Sequence, residues 1–295
     1  MNVQHSFSGG ASSASGTLYL VGTPIGNLED MTFRAIRTLK EVNLIAAEDT
    51  RQTRKLLTHF EISTRLVSYH EHNKGASGPE LIRLLEEGQN IALVSDAGLP
   101  AISDPGADLV ADAVAHDIAV VPIPGANAAL SALIMSGLPT ERFTFVGFLP
   151  RDRKPLREWL EHNRKQEGTM ICYESPHRVA KTLTALLESW GDRKMAMTRE
   201  LTKRHEEAVR GTVSECLAWL EEHPPLGEYC LVIAGFEQSD DYRQDEDMPW
   251  WQDLELADHV ARYEQECGDR KEAMKRAAAD RGLAKRDVYN ELMRK

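Results

Sequence analysis

The stretch ALVSDAGLPAISDPGADLV, residues 92–110, passes from an apolar, β-prone segment straight into a loop with two prolines, three acidic side chains and two glycines. An apolar run without polar alternation is the pattern of a strand covered on both faces, and in open α/β sheets ligands gather where such strands end. The surrounding sequence repeats the arrangement. TLYLVG, NLIAAE, RLVSYH and IAVVPI recur about every 25 residues, and helical spacing such as Phe33, Ile36, Leu39 and Val42 lies between them. These intervals are long enough for helical crossovers, so the runs predict a mostly parallel sheet that ends near Gly137.

A second α/β series follows, with FTFVGFL, TMICYES, KMAMTRE, HEEAVRGTV and YCLVIAGFE as candidate strands. The two strands beside the charged turn LTKRH are too close for a crossover and read as an antiparallel pair. Beyond residue 237 only helical patterns remain. The apolar faces there are Ala273, Met274, Ala277 and Ala278, then Val288, Tyr289 and Leu292, with Gly282 breaking the chain between them. The expected organisation is a flexible tail over 1–16, α/β domains over 17–139 and 140–237, an acidic linker over 238–252, and a helical appendix over 253–295. The last two helices of that appendix suggest a helix-turn-helix.

Composition narrows the function. Four cysteines, Cys172, Cys216, Cys230 and Cys267, are scattered without CxxC spacing, which points to neither a disulfide framework nor a metal site. A reducing cytoplasm is the expected location, and no segment has the length and apolarity of a membrane span. The net charge of -11 opposes a polyanionic partner, but it is unevenly placed. Nine acidic residues against one basic fall between Glu237 and Asp258, whereas nine basic against five acidic fall between Gly268 and Lys295.

The loops after the first, fourth and fifth strands are VGTPIGN, SDAGLPAISDPG and PIPGAN. None is GxGxxG or GxxxxGK[ST], so the glycine placement for a pyrophosphate and the lysine for a terminal phosphate are both missing. Their glycines allow close backbone approach and their prolines stiffen the loops, which suits a ligand held by backbone groups and a few carboxylates. Tight turns that merely close βα units would use the same residues.

LYLVGTPIGNLEDMTFRAIRTL, AEDTR, SYHEHN, SDAGLPAISDPG, PIPGANAAL, GFLPR and YESPHR, in that order, closely resemble the motifs of the bacterial 16S ribosomal RNA methyltransferases that modify a cytidine ribose 2′-oxygen. Those enzymes belong to the tetrapyrrole-methylase superfamily. The resemblance covers Thr17 to about Glu237. It implies two αβα domains with a cofactor cleft between them, S-adenosylmethionine as cofactor, a homodimer, and a substrate in the decoding region of 16S RNA within the 30S subunit. S-adenosylmethionine has no phosphate, so the absence of a dinucleotide fingerprint fits, and its sulfonium favours an acidic surrounding. By the resemblance, Ile25, the segment Ser95, Asp96, Ala97 and Gly98, and the pair Asn127 and Ala128 contact the cofactor from the first domain, with Tyr173, Leu201 and Gly227 contributing from the second. Tetrapyrrole-modifying relatives carry GxGPGD where this chain has GTPIGN, which argues against a porphyrinoid substrate.

Methyl transfer to a hydroxyl requires alignment and allows a proton acceptor. Asp49, His70 and Glu200 stand at strand ends and are the candidates, with Glu48 beside the first. Asp49 equally suits an N-cap for a helix beginning near Thr50. Candidate RNA contacts are Arg51, Arg151, Arg153 and Arg178, and Lys275, Arg276, Lys285 and Arg286 in the appendix. The competing readings are a tetrapyrrole C-methyltransferase and a non-catalytic nucleic-acid-binding regulator.

Overall fold

The computed structural model describes residue 4, residues 15–237, residue 251 and residues 254–293. Most of the expected tail and linker lies outside these residues. The chain forms two compact units, Met1–Phe236 and Glu237–Lys295.

The first unit contains two five-stranded sheets. β1 (Thr17–Val21), β2 (Leu44–Ala47), β3 (Arg65–Ser68), β4 (Ile91–Val94) and β5 (Ala119–Ile123) form a fully parallel sheet in the order β3-β2-β4-β1-β5. Successive residues of the buried strands face opposite sides. Ile45 and Ala47 join one core with α1 (Phe33–Glu41) and α2 (Thr50–His59). Leu44 and Ala46 join another with α3 (Lys74–Glu86) and α4 (Ala107–Ala115). Burial on both faces explains why these strands are apolar throughout. One detail departs from the helical pattern. α1 buries Ala35, Thr38 and Leu39, whereas Phe33, its first residue, is 94% exposed.

The second sheet is mixed, in the order β6-β7-β10-β8-β9, from β6 (Phe143–Phe148), β7 (Thr169–Glu174), β8 (Lys194–Arg199), β9 (Glu207–Thr212) and β10 (Tyr229–Ile233). β8 and β9, beside the charged turn, pair antiparallel as their short connection requires. α6 (Arg153–Asn163), α7 (Val179–Trp190) and α8 (Val213–Glu222) cover one face. The other face receives α5 (Ala128–Ser136), which leaves the first sheet after β5 and buries Ala129, Ala132 and Leu133 against Ile171, Ala196, Cys230 and Val232. The connecting helix of one sheet is thus core for the other.

The second unit contains α9 (Leu256–Cys267), α10 (Arg270–Asp280) and α11 (Lys285–Leu292). Ala273, Met274, Ala277, Ala278 and Val288 are buried, while Tyr289, expected on the apolar face, is 49% exposed. His259 is fully buried. Arg281 Nε donates to its Nδ1 at 3.1 Å, so Nε2 carries the proton and donates to Asp280 at 3.2 Å.

Candidate functional site

At the carboxyl edge of the parallel sheet two loops touch backbone to backbone. A Cβ on Gly22 would lie 2.9 Å from Gly125 Cα, so only glycine fits there. Thr23 and Gly98 exchange backbone hydrogen bonds of 2.8 and 3.1 Å, and Thr23 Oγ1 donates to the Ser95 carbonyl at 3.2 Å. These contacts bring the loops after β1, β4 and β5 to one point. The second sheet supplies the opposite wall: the Lys203 side chain lies across Gly26, where a Cβ would meet its Cγ at 2.3 Å.

Between the walls is a cleft of about 350 Å³, within the range of small-molecule sites. Of the residues named above, Ile25, Asp96, Ala97, Gly98, Asn127, Ala128, Tyr173, Glu200 and Leu201 line it. Ser95 is buried and outside the lining, its carbonyl accepting from Thr23 and its hydroxyl donating to the Ala97 carbonyl. Gly227, at φ +72°, supports Glu200, since a Cβ would meet Glu200 Oε1 at 2.5 Å. Asn127 caps α5 by accepting from Leu130 N–H at 2.8 Å, and Tyr173 accepts from the Ala129 amide. Burial pushes the Tyr173 hydroxyl up to about 12, so it stays protonated.

The cleft is acidic. Glu48, Asp96, Asp104, Glu174, Glu200 and Glu228 all line it. Burial first, then the neighbouring Asp104 and Asp96, raises the Glu48 carboxyl above the ordinary range. Asp104 is likewise raised by burial and by Asp96 and Glu228, although a Ser95 hydrogen bond opposes the shift. Nearby cations do not cancel this charge cleanly. Lys203 is paired with Glu200 at 2.9 Å, and Arg199 with Glu207 at 2.5 Å. Four of the six non-glycine residues with positive φ among the described residues, Ala101, Ser103, Glu200 and Thr202, sit in the loops bordering the cleft. Such backbone persists where surrounding structure over-determines it, commonly at ligand sites.

The structure does not bring every predicted residue into the cleft. Asp49 caps α2, accepting from the Arg51 amide at 2.8 Å, and grips the Arg51 guanidinium through both oxygens. Those bonds hold its carboxyl at about 2, making it a weak base, and its own N–H donates to Asp96 Oδ1 at 3.0 Å. Asp49 therefore orients Asp96. His70 follows β3 outside the cleft lining, with Nδ1 buried and unpartnered among the described residues. Arg178 binds the Pro150 carbonyl at 2.7 Å and buried Glu174 at 3.4 Å, tying the YESPHR turn to the GFLPR turn. Its side chain is partly buried and committed to these partners, whereas Arg151 and Arg153 are exposed. Lys275, Arg276, Lys285 and Arg286 are exposed on the second unit. Asp104 and Glu228 escaped the sequence reading. The first was visible in the opening stretch, but the second comes from a strand start with no motif around it.

Two sheets joined through α5, with an acidic cleft between them, define a methylase-type α/β protein. Residues 17–217 match the family described as Tetrapyrrole (Corrin/Porphyrin) Methylases. The chain belongs to that family and, within it, to the ribosomal RNA small subunit methyltransferase I group. It is 56% identical to the protein of that name from Halalkalibacterium halodurans, over 93% of this chain and 94% of the relative. It is 55% identical to that of Bacillus subtilis over 97% of both. Uroporphyrin-III-C-methyltransferase from Thermus thermophilus shares the fold, with a TM-score of 0.51 at 21% identity over 79% of this chain and 99% of that one.

Proposed function

We propose that this chain transfers a methyl group from S-adenosylmethionine to the ribose 2′-oxygen of a cytidine in the decoding region of 16S ribosomal RNA, acting as a cytoplasmic homodimer on the 30S subunit. The observation that carries the reading is the convergence of Glu48, Asp96 and Asp104 on one cleft in a chain that matches ribosomal RNA methyltransferases over 97% of its length. A carboxylate cluster with little free cationic charge suits a ligand bearing a sulfonium and an ammonium. Ile25, Ser95 to Gly98, Asn127 and Ala128 would hold the cofactor from one wall, and Tyr173, Leu201 and Gly227 from the other. When bound, the cofactor supplies an electrophilic methyl group.

The protein's own contribution is to bind, orient and accept a proton. The hydroxyl proton must leave as its oxygen becomes alkylated, and a cleft carboxylate is the available acceptor. Glu48 and Asp104 are better bases than Asp49, because burial raises them while Arg51 holds Asp49 down. Glu200 lines the same cleft but shares its charge with Lys203. Exposed Arg151 and Arg153 at the start of α6, and the basic residues of the second unit, would meet phosphates outside.

Incubation of the protein with isolated 30S subunits and S-adenosylmethionine labelled in the methyl group, followed by nucleoside analysis, tests the reading. Label in 2′-O-methylcytidine is expected. Label on a base, or transfer to a porphyrinoid and not to the subunit, would overturn it.

A further inference from the structure

A phosphate chain laid into this cleft would meet six carboxylates, Glu48, Asp96, Asp104, Glu174, Glu200 and Glu228, two of them with raised affinity for protons. Like charges at such separations in a partly buried site repel strongly. The flanking phosphates of any RNA substrate must therefore remain outside, and only a nucleoside, an uncharged base on its ribose, can enter. Inside the cleft, purchase on that nucleoside has to come from something other than ion pairs.

The wall contributed by β6 offers such a surface. Phe148 lines the cleft and is 60% exposed, although it is a large aromatic side chain at the end of a strand. Its position is built. The register of β6 against β7 shifts between Phe145 and Phe148, and Gly147 adopts φ +64°. A bulge re-aims the side chain that follows it. Tyr173 meets the Phe148 ring edge-to-face at 5.7 Å and is itself braced by Phe145 at 5.0 Å, so the ring is held while most of its surface stays open. Across from Gly147, where a Cβ would stand 3.0 Å from Ser103 Oγ, runs the left-handed loop that exposes Ile102, a second apolar side chain in the cleft lining.

We infer that Phe148, with Ile102 beside it, is the platform on which the target base stacks once it is turned out of the RNA. The assignment rests on the reading of the chain as an RNA ribose methyltransferase and adds the residue that positions the nucleoside. Recognition of unstacked bases by aromatic side chains is the general solution for single-stranded RNA, and enzymes acting on a nucleotide within a structured strand extrude it first. Stacking is tolerant of base identity, so Phe148 positions the nucleoside and does not by itself select cytosine.

The test compares wild type, Phe148→Ala and Phe148→Tyr in methyl transfer to 30S subunits at saturating S-adenosylmethionine, with calorimetry of cofactor binding alongside. Phe148→Ala is expected to lower kcat/KM for the subunit about five- to a hundredfold, the range of one lost base–aromatic stack. Cofactor affinity should hold within about twofold. Phe148→Tyr, which keeps the ring, should restore most of the rate. An unchanged kcat/KM in Phe148→Ala, a matching loss of cofactor affinity, or failure of tyrosine to rescue would overturn the assignment while leaving the functional reading intact. A wild-type protein that binds S-adenosylmethionine but methylates no subunits would overturn the functional reading, and this assignment with it.

Discussion

Gly22 and Gly125 set how closely the loops after β1 and β5 meet, because their backbones approach to the limit that hydrogen side chains allow. Replacing Gly22 with alanine inserts a methyl group where nothing can give way. Overpacking of this kind costs about 1–3 kcal/mol, so a lower melting temperature with weakened cofactor binding is expected from thermal denaturation and calorimetry. Asp96, held by the Asp49 amide and exposed to the cleft, should matter through charge: Asp96→Ala is expected to weaken S-adenosylmethionine by about 1.5–3 kcal/mol, the size of a charge-assisted hydrogen bond, in a protein that still folds. Glu48 and Asp104 carry a pH signature. Their carboxyls are raised in the free protein, and a bound cation favours their ionised forms, so binding must expel protons at mildly acidic pH. Calorimetric titrations in buffers of different ionisation enthalpy should detect that release, and it should shrink in Glu48→Gln. The same variant should lose more in turnover than in cofactor affinity if Glu48 takes the hydroxyl proton, with a missing base costing roughly 10²–10⁴ in rate.

Strands were the most legible elements, since LIAA and IALV are apolar and buried at every position for the physical reason that both faces are covered. Helix faces were read less well. Spacing alone put Phe33 with Leu39, but Phe33 in the first turn of α1 is exposed, and Ala35 and Thr38 are buried beside Leu39 instead. Asp49 illustrates the same limit at the site: a carboxylate at a strand end suits capping and catalysis alike, and only the Arg51 geometry separates the two. The bulge that turns Phe148 depends on Gly147 at positive φ, and a single glycine in FTFVGFL does not announce its conformation. Among the helices of the second unit, His259 on α9 gives a measurable consequence. Burial and Arg281 depress its pKa below 6.5, so the unfolded chain takes up the proton first. Its contribution to stability is thus complete above pH 6.5 and declines as pH falls through the depressed value. Melting of wild type against His259→Phe between about pH 5 and 8 should show the gap in pH dependence, because phenylalanine cannot titrate.

At the scale of the whole chain, the two units divide at Phe236 and Glu237, after all the strands that build the cleft. Ending the chain after Glu237 is expected to leave a folded protein that binds S-adenosylmethionine yet holds 30S subunits poorly. The removed part contains the net basic stretch from Gly268 to Lys295, and lost phosphate contacts should make the salt dependence of subunit binding shallower. Binding measured across a salt series with both proteins checks this, and equal slopes would assign the second unit a structural role only.

α5 has a further consequence for how the first unit comes apart. It is apolar on nearly every side, begins beneath the cleft, and ends with its Met135 carbonyl held by Arg210 of β9 at 2.6 and 2.9 Å. Neither sheet can lose this helix without losing its own interior or its own connection. Heating should therefore melt both sheets in one calorimetric transition, with no half-unfolded species to offer a protease a cut in the SGLPT segment near residue 139. Because the helix start also lines the cleft, a ligand there fastens both halves together: at a hundred times its dissociation constant it should add about 2.7 kcal/mol to that single transition rather than splitting it.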